Sequence, residues 1–147
     1  MAGRQQPRDG PLVRRGWQHR GVRIDRLDHL VLTVADLSAS VAFYTALGME
    51  HVTFGAGRHA LTFGSSKINL HEAAQPVRPH AARPTPGSAD LCLIADGSLD
   101  DVVAHLGRLG VPVEEGPVDR TGATGPIRSV YVRDPDGNLV EFGVYLP

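Results

Sequence analysis

Four side chains able to bind a metal ion fall in four strand-like segments. They are His29 in Asp28-His29-Leu30-Val31-Leu32-Thr33-Val34, His71 in Ile68-Asn69-Leu70-His71, Asp90 in Asp90-Leu91-Cys92-Leu93-Ile94, and Glu141 in Leu139-Val140-Glu141-Phe142. Alternate side chains of a strand share a face. The other face reads Leu30, Leu32 and Val34; Ile68 and Leu70; Leu91, Leu93 and Ala95; Val140, Phe142 and Val144. That face is apolar throughout, so it is expected to be the buried one, and the four candidates point the opposite way. Two imidazoles and two carboxylates on one side of a sheet would make a divalent-metal site. The same alternation adds Val31, Thr33, Asn69 and Cys92 to the lining, with Thr33, Asn69 and Cys92 as candidate substrate contacts.

The elements that would position these residues occur twice. His29-Leu-Val-Leu-Thr-Val34 matches Asp90-Leu-Cys-Leu-Ile-Ala95, and a helix start follows each. Asp36 or Ser38 can cap the first helix; Ser98, with Asp101 three residues on, can cap the second. Val41, Phe43, Tyr44 and Leu47 supply one helical face, and Val102, Leu106 and Leu109 the other. Both helices end in Leu-Gly, at Leu47-Gly48 and Leu109-Gly110, glycine being the usual left-handed terminator. Strand-like runs follow at Met49–Phe54 and Val111–Glu114, then Arg58–Phe63 with Lys67–His71, and Ile127–Arg133 with Asn138–Val144. Each copy reads β-α-β-β-β, a register in which His29 corresponds to Asp90 and His71 to Glu141. The proline-rich stretch Ala73–Ser88 is the expected linker. This predicts an α+β domain of two tandem modules, 24–72 and 89–147.

The turn Arg133-Asp134-Pro135-Asp136-Gly137-Asn138 is expected to set the register of Glu141, because a one-residue slip would bury it and expose Phe142. The glycine-rich segment Arg120-Thr121-Gly122-Ala123-Thr124-Gly125-Pro126 reads as a loop before the penultimate strand. There Arg120 and Thr121 are candidate substrate contacts, Arg120 for a carboxylate or phosphate.

At 147 residues, 41% hydrophobic and 21% charged, the chain suits one globular domain. No apolar run approaches the roughly 20 residues of a membrane span. A single cysteine, Cys92, cannot form an internal disulfide, which fits a cytoplasmic protein. Residues 1–23 carry six arginines against Asp9, for a charge of +5, and residues 24–147 carry −6. The acidic body argues against nucleic-acid binding. The arm, interrupted by glycine and proline, is expected to be disordered. His19, His51, His59, His80 and His105 are expected at the surface.

The strand start Asp28–Val34, the run Phe43-Tyr44-Thr45-Ala46-Leu47-Gly48-Met49 and the stretch Asp134-Pro135-Asp136-Gly137-Asn138-Leu139-Val140-Glu141 resemble the vicinal oxygen chelate superfamily. That group includes glyoxalase I, extradiol dioxygenases and bleomycin-resistance proteins. Ile68-Asn69-Leu70-His71-Glu72, Pro84–Asp90 and Glu114-Glu115-Gly116-Pro117-Val118 are similar to the glyoxalase domain-containing protein 5 branch. The resemblance implies metal positions at His29, His71, Asp90 and Glu141, with His and Glu exchanged for Asp90 and His71 at the middle two. It also implies that the two modules form an open, cup-shaped barrel, with one divalent ion per site (Ni, Zn, Mn, Co or Fe), a small-molecule substrate with vicinal oxygens, and a homodimer whose cup can draw on both subunits.

The leading expectation is a glyoxalase I-like lyase or isomerase in which the metal acts as a Lewis acid and Glu141 doubles as general base. An extradiol-type dioxygenase and a metal-free small-molecule or antibiotic-binding protein are the alternatives.

Overall fold

The structure, a computed structural model, describes residues 21–147. The Arg-rich arm therefore lies outside the described residues except for its last three, and so does His19. The first module comprises β1 (His29–Val34), α1 (Leu37–Ala46), β2 (Glu50–Phe54), β3 (Arg58–Phe63) and β4 (Ser66–Glu72). The second comprises β5 (Asp90–Ile94), α2 (Leu99–Leu109), β6 (Glu115–Thr121), β7 (Pro126–Arg133) and β8 (Leu139–Tyr145). Their sheets have the same topology, β1-β4-β3-β2 and β5-β8-β7-β6, each with one parallel pair between its first and last strands. The fold is α+β, and the two sheets stay separate rather than closing into one barrel.

Alternation places one face of each sheet in a shared core. Leu32, Val34, Ile68 and Leu70 of the first module join Val130, Val132, Val140 and Phe142 of the second in one buried cluster, with Tyr44 and Leu106 from the two helices. Both helices start and stop as their sequences dictate. The Asp36 carboxylate accepts from Ala39 N, and Ser98 Oγ accepts from Asp101 N, each at 3.1 Å. Gly48 and Gly110 take positive φ of 97° and 70° just past the helix ends. On α2 the buried stripe is Leu106 with Val102 and Val103 beside it. Leu109, expected on that stripe, is 40% exposed at the last position of the helix.

Two sequence expectations give way in the second module. Val111–Glu114 is a connector, not a strand: Val111 N bonds back to Leu106 O, and Val111 and Val113 turn onto the core. The strand starts later, at Glu115, and runs through Arg120 and Thr121, so those two residues lie on β6 and not in a loop. The reversal is only Gly122–Gly125, closed by a 2.8 Å bond from Gly122 N to Gly125 O. Glycine conceals the strand: Gly116, at φ 108°, sits at an irregularity in the β6–β7 register, and a Cβ there would meet Ser129 O at 2.4 Å.

The closing hairpin does more than reverse the chain. Asp134 is 5% exposed, and its carboxylate accepts from Asp136 N, Asn138 N, Asn138 Nδ2 and the Tyr44 hydroxyl, the last at 2.7 Å. Asp136 accepts from Ala35 N, and Asn138 Oδ1 from Ala89 N. The turn that sets the register of β8 thus also fastens β1, α1 and the entry to β5. Burial and the adjacent carboxylate push the Tyr44 phenol far up, so it stays a donor.

Candidate functional site

The ladders decide which polar side chains are neighbours. In the first sheet His29 pairs with Lys67, Val31 with Asn69, and Thr33 with His71. In the second, Asp90 pairs with Leu139 and Cys92 with Glu141. The residue one step off Asp90, across the ladder and two along, is Glu141; the residue in the same relation to His29 is Asn69. The sequence equivalence of His71 with Glu141 is therefore corrected by two residues. His71 lies four residues beyond the partner of His29, about 13 Å along the strand at ~3.3 Å per residue. Among the described residues no three of His, Cys, Asp and Glu come together as a metal-holding group.

His29 sits at the start of β1 with Nδ1 2.8 Å from Asp28 Oδ2, which leaves Nε2 free. The bond to His29 is the first cause holding the Asp28 carboxyl below its usual range. A carboxylate on one ring nitrogen fixes the tautomer in which the other can take an electrophile. Asn69 is 3% exposed, and its Oδ1 is buried with no hydrogen-bond partner. Such an orphan acceptor is costly unless a ligand satisfies it. His71 faces elsewhere, into a small cleft against the linker with Thr33, His80 and Pro84. Burial first, then Arg58 and His80, holds its pKa below 6.5, so the neutral ring receives Arg58 Nη2 at 3.4 Å.

The second half-site is built around Glu141. Ser129 Oγ, from β7, donates to Glu141 Oε2 at 2.6 Å. Cys92 beside it is pushed up to about 11, chiefly by burial and then by Glu141, so it is a neutral thiol lining the pocket and not a nucleophile. Tyr131, opposite Glu141 in the ladder, receives Arg120 Nε at 3.0 Å. Burial leads in holding this phenol up, and the Glu141 carboxylate adds to it. Arg120 also bonds Glu115 Oε1 and Asp119 O, so its guanidinium is already engaged. A cavity of about 350 Å³ collects Cys92, Arg120, Thr121, Ile127, Glu141 and Tyr145. A second, of about 190 Å³, collects Asp28, His29, Lys67 and Cys92 between β1 and β5. Cys92 belongs to both. Asp90 is exposed at the start of β5.

Asp28, Lys67, Arg58, Ser129 and Tyr131 were not singled out by sequence reasoning. The signal was available for most of them. Lys67 has the parity of Asn69, and Ser129 and Tyr131 alternate on one face of a strand next to that of Glu141. The remaining described histidines lie apart from both half-sites: His51 and His59 stack with ring nitrogens 3.0 Å apart, His80 meets Ala81 O, and His105 meets Ala46 O.

Paired βαβββ modules with matching polar positions on their cup faces agree with what comparison finds. Residues 26–142 match the family model described as Glyoxalase/Bleomycin resistance protein/Dioxygenase superfamily. The chain belongs to that superfamily. Virulence protein STM3117 of Salmonella typhimurium is 55% identical over 124 residues, covering 84% of this chain and 86% of that one. Its crystal structure superposes with a TM-score of 0.84 over 85% of this chain and all of the other. Glyoxalase domain-containing protein RDO1 of Mycosarcoma maydis is 52% identical, over 88% of this chain and 75% of its own. Within the superfamily a lactoylglutathione lyase from Agrobacterium tumefaciens is 28% identical, with a TM-score of 0.65 over 83% of this chain and 95% of its own. No helix among the described residues is long and apolar enough to cross a membrane.

Proposed function

We propose that this protein is a divalent-metal-dependent, glyoxalase I-like lyase or isomerase acting on a small substrate with vicinal oxygens. We further propose that its cup joins the His29/Asn69 half of one subunit to the Asp90/Glu141 half of another. One observation carries the reading: the two half-sites occupy the same ladder positions on equivalent sheets. The donor set fits a divalent ion. His29 has its Nε2 free, Asn69 presents an orphaned oxygen, and Glu141 supplies a carboxylate oriented by Ser129. Such an ion, when bound, polarises substrate oxygens as a Lewis acid. The likeness to a lactoylglutathione lyase supports this choice of chemistry.

The chain's own groups have separable tasks. Asp28 orients His29. The Glu141 carboxylate, in a state in which it is not held by the ion, takes the proton from the carbon beside the substrate's carbonyl and returns it to the neighbouring carbon, while Ser129 orients it. The Tyr131 hydroxyl, kept protonated, donates to the substrate oxygen on which charge develops. An extradiol oxygenase site needs two imidazoles and a carboxylate. With Asn69 and Asp90 at the middle positions, His29 is the only imidazole of the proposed cup. Exposed apolar residues at the cup edges, Val31 at 44% and Ile94 at 52%, suit a surface covered by a second subunit.

Elemental analysis of protein stripped by chelator and reloaded with competing divalent ions tests the proposal. The expected result is about one ion per subunit, lost in His29→Ala, Asn69→Ala and Glu141→Ala and kept in His71→Ala. No uptake under any loading would discard it.

A further inference from the structure

The first sheet carries two cations on its cup face that no carboxylate neutralises. Arg58 and Lys67 share the parity of Asn69: Ala60 pairs with Asn69, Thr62 with Lys67, and Phe54 with Arg58. Among the described residues neither forms an ion pair, whereas Arg120, Arg128 and Arg133 of the second module each hold a carboxylate. Asp28 feels Lys67 only as the least of its influences and is itself held by His29. Both rest instead on one ring, Lys67 Nζ 4.2 Å and Arg58 Cζ 5.0 Å from the centre of Phe54, and the only other side-chain partner Arg58 has among the described residues is the uncharged His71 ring, at 3.4 Å.

The register says what they rest over. Lys67 lies in the row of Thr62 and Glu50, and Phe54 in the row of Arg58; the row between holds Asn69, Ala60 and Val52. A contact from Lys67 to Phe54 has to cross that middle row. Ala60 is 0% exposed and Asn69 3%, although both belong to the cup face. Two cations without a carboxylate partner and an aromatic ring are thus gathered on one patch over Asn69. A cation resting on a ring at an exposed site is held more weakly than one in a charge-assisted hydrogen bond. An arriving oxyanion would therefore draw both cations off Phe54 and uncover Asn69.

We propose that Arg58 and Lys67 form an anion subsite of the cup, so that the substrate bears a carboxylate or phosphoryl group in addition to its vicinal oxygens. This rests on the enzymatic reading for the word substrate, but not for the binding. Arg120, engaged by Glu115 and Tyr131, is not the group that takes this anion.

The test is an NMR titration of the full chain, freed of metal and chelator, at constant ionic strength. The probes are inorganic phosphate, malonate and the uncharged malonamide. Saturable shifts at Val52, Ala60 and Asn69 are expected with at least one anion, weakened about tenfold in Arg58→Gln and in Lys67→Gln. Arg58→Lys should recover part of the loss. Saturation by phosphate or by malonate identifies the group, and either supports the subsite. Equal weakening in Arg128→Gln, which removes one charge from another face, would overturn it; so would equal binding of malonamide, or no saturable shift. Because the protein is metal-free, failure here leaves the ion count above untouched, and the converse holds.

Discussion

The two sheets share strand order, parallel pairing and a helix apiece, yet their cup faces are chemically opposite. The first presents His29, Arg58 and Lys67 around a neutral amide. The second presents Asp90 and Glu141 with Ser129, Tyr131 and a neutral thiol. Neither face brings three of His, Cys, Asp and Glu together among the described residues. The difference shows that the repeat keeps its geometry while the chemistry is divided: one side holds an imidazole and cations outside any ion pair, the other a carboxylate with proton donors and a cation, Arg120, already held by Glu115. The supports differ too. The first module's closing hairpin is Gly64-Ser65 between β3 and β4, whereas the second buries Asp134 under four donors.

That asymmetry is most directly broken at Asp134. Replacement by alanine strands the Tyr44 hydroxyl, two backbone amides and the Asn138 amide, so stability should fall by about 4 kcal/mol. A melting temperature lower by roughly 10–15 °C is the expected readout; a change within a few degrees would mean the hairpin does not fasten the modules. A smaller effect separates the two cup faces. With Cys92 raised to about 11 from 9.0, its thiolate fraction at pH 8 drops about 100-fold, and alkylation should be slower by that factor than for a free cysteine. Glu141→Gln should speed it, and no acceleration would remove the carboxylate from the account.

Tyr44→Phe removes one donor from Asp134 and should cost about 2 kcal/mol in urea denaturation. Smallest are the helix caps. Asp36→Ala and Ser98→Ala should each cost about 1 kcal/mol. The Ser98 change has more help around it, since Asp100 and Asp101 already sit in the first turn of α2 and Arg108 in the last. If Asp36→Ala is not the costlier of the two, charge in the first turn matters less than supposed.

Much of the fold was legible because its signals are local. Capping residues, Leu-Gly stops and two-residue alternation each act within a few positions, and all bear on β1, α1, β4, β5, α2 and β8. Strand β6 was missed because Gly116 and Pro117 interrupt its pattern and its burial is slight. Arg120 was assigned to a loop for the same reason. Asp134 was legible as a turn residue but not as the anchor of Tyr44, which lies 90 residues away.

By itself the sequence determined which face of each strand is polar, since side chains alternate with a period of two whatever the partner strand. It therefore placed His29, Asn69, Asp90 and Glu141 toward the cup. It could not determine which of Asn69 and His71 stands beside His29, because a slip of two residues leaves every face unchanged. Only the pairing of Val31 with Asn69, across strands nearly forty residues apart in the chain, made that choice. The pairings of β2 with β3 and of β3 with β4 likewise brought Lys67, Arg58 and Phe54 together, because contacts between rows depend on register, and register is a property of the folded sheet.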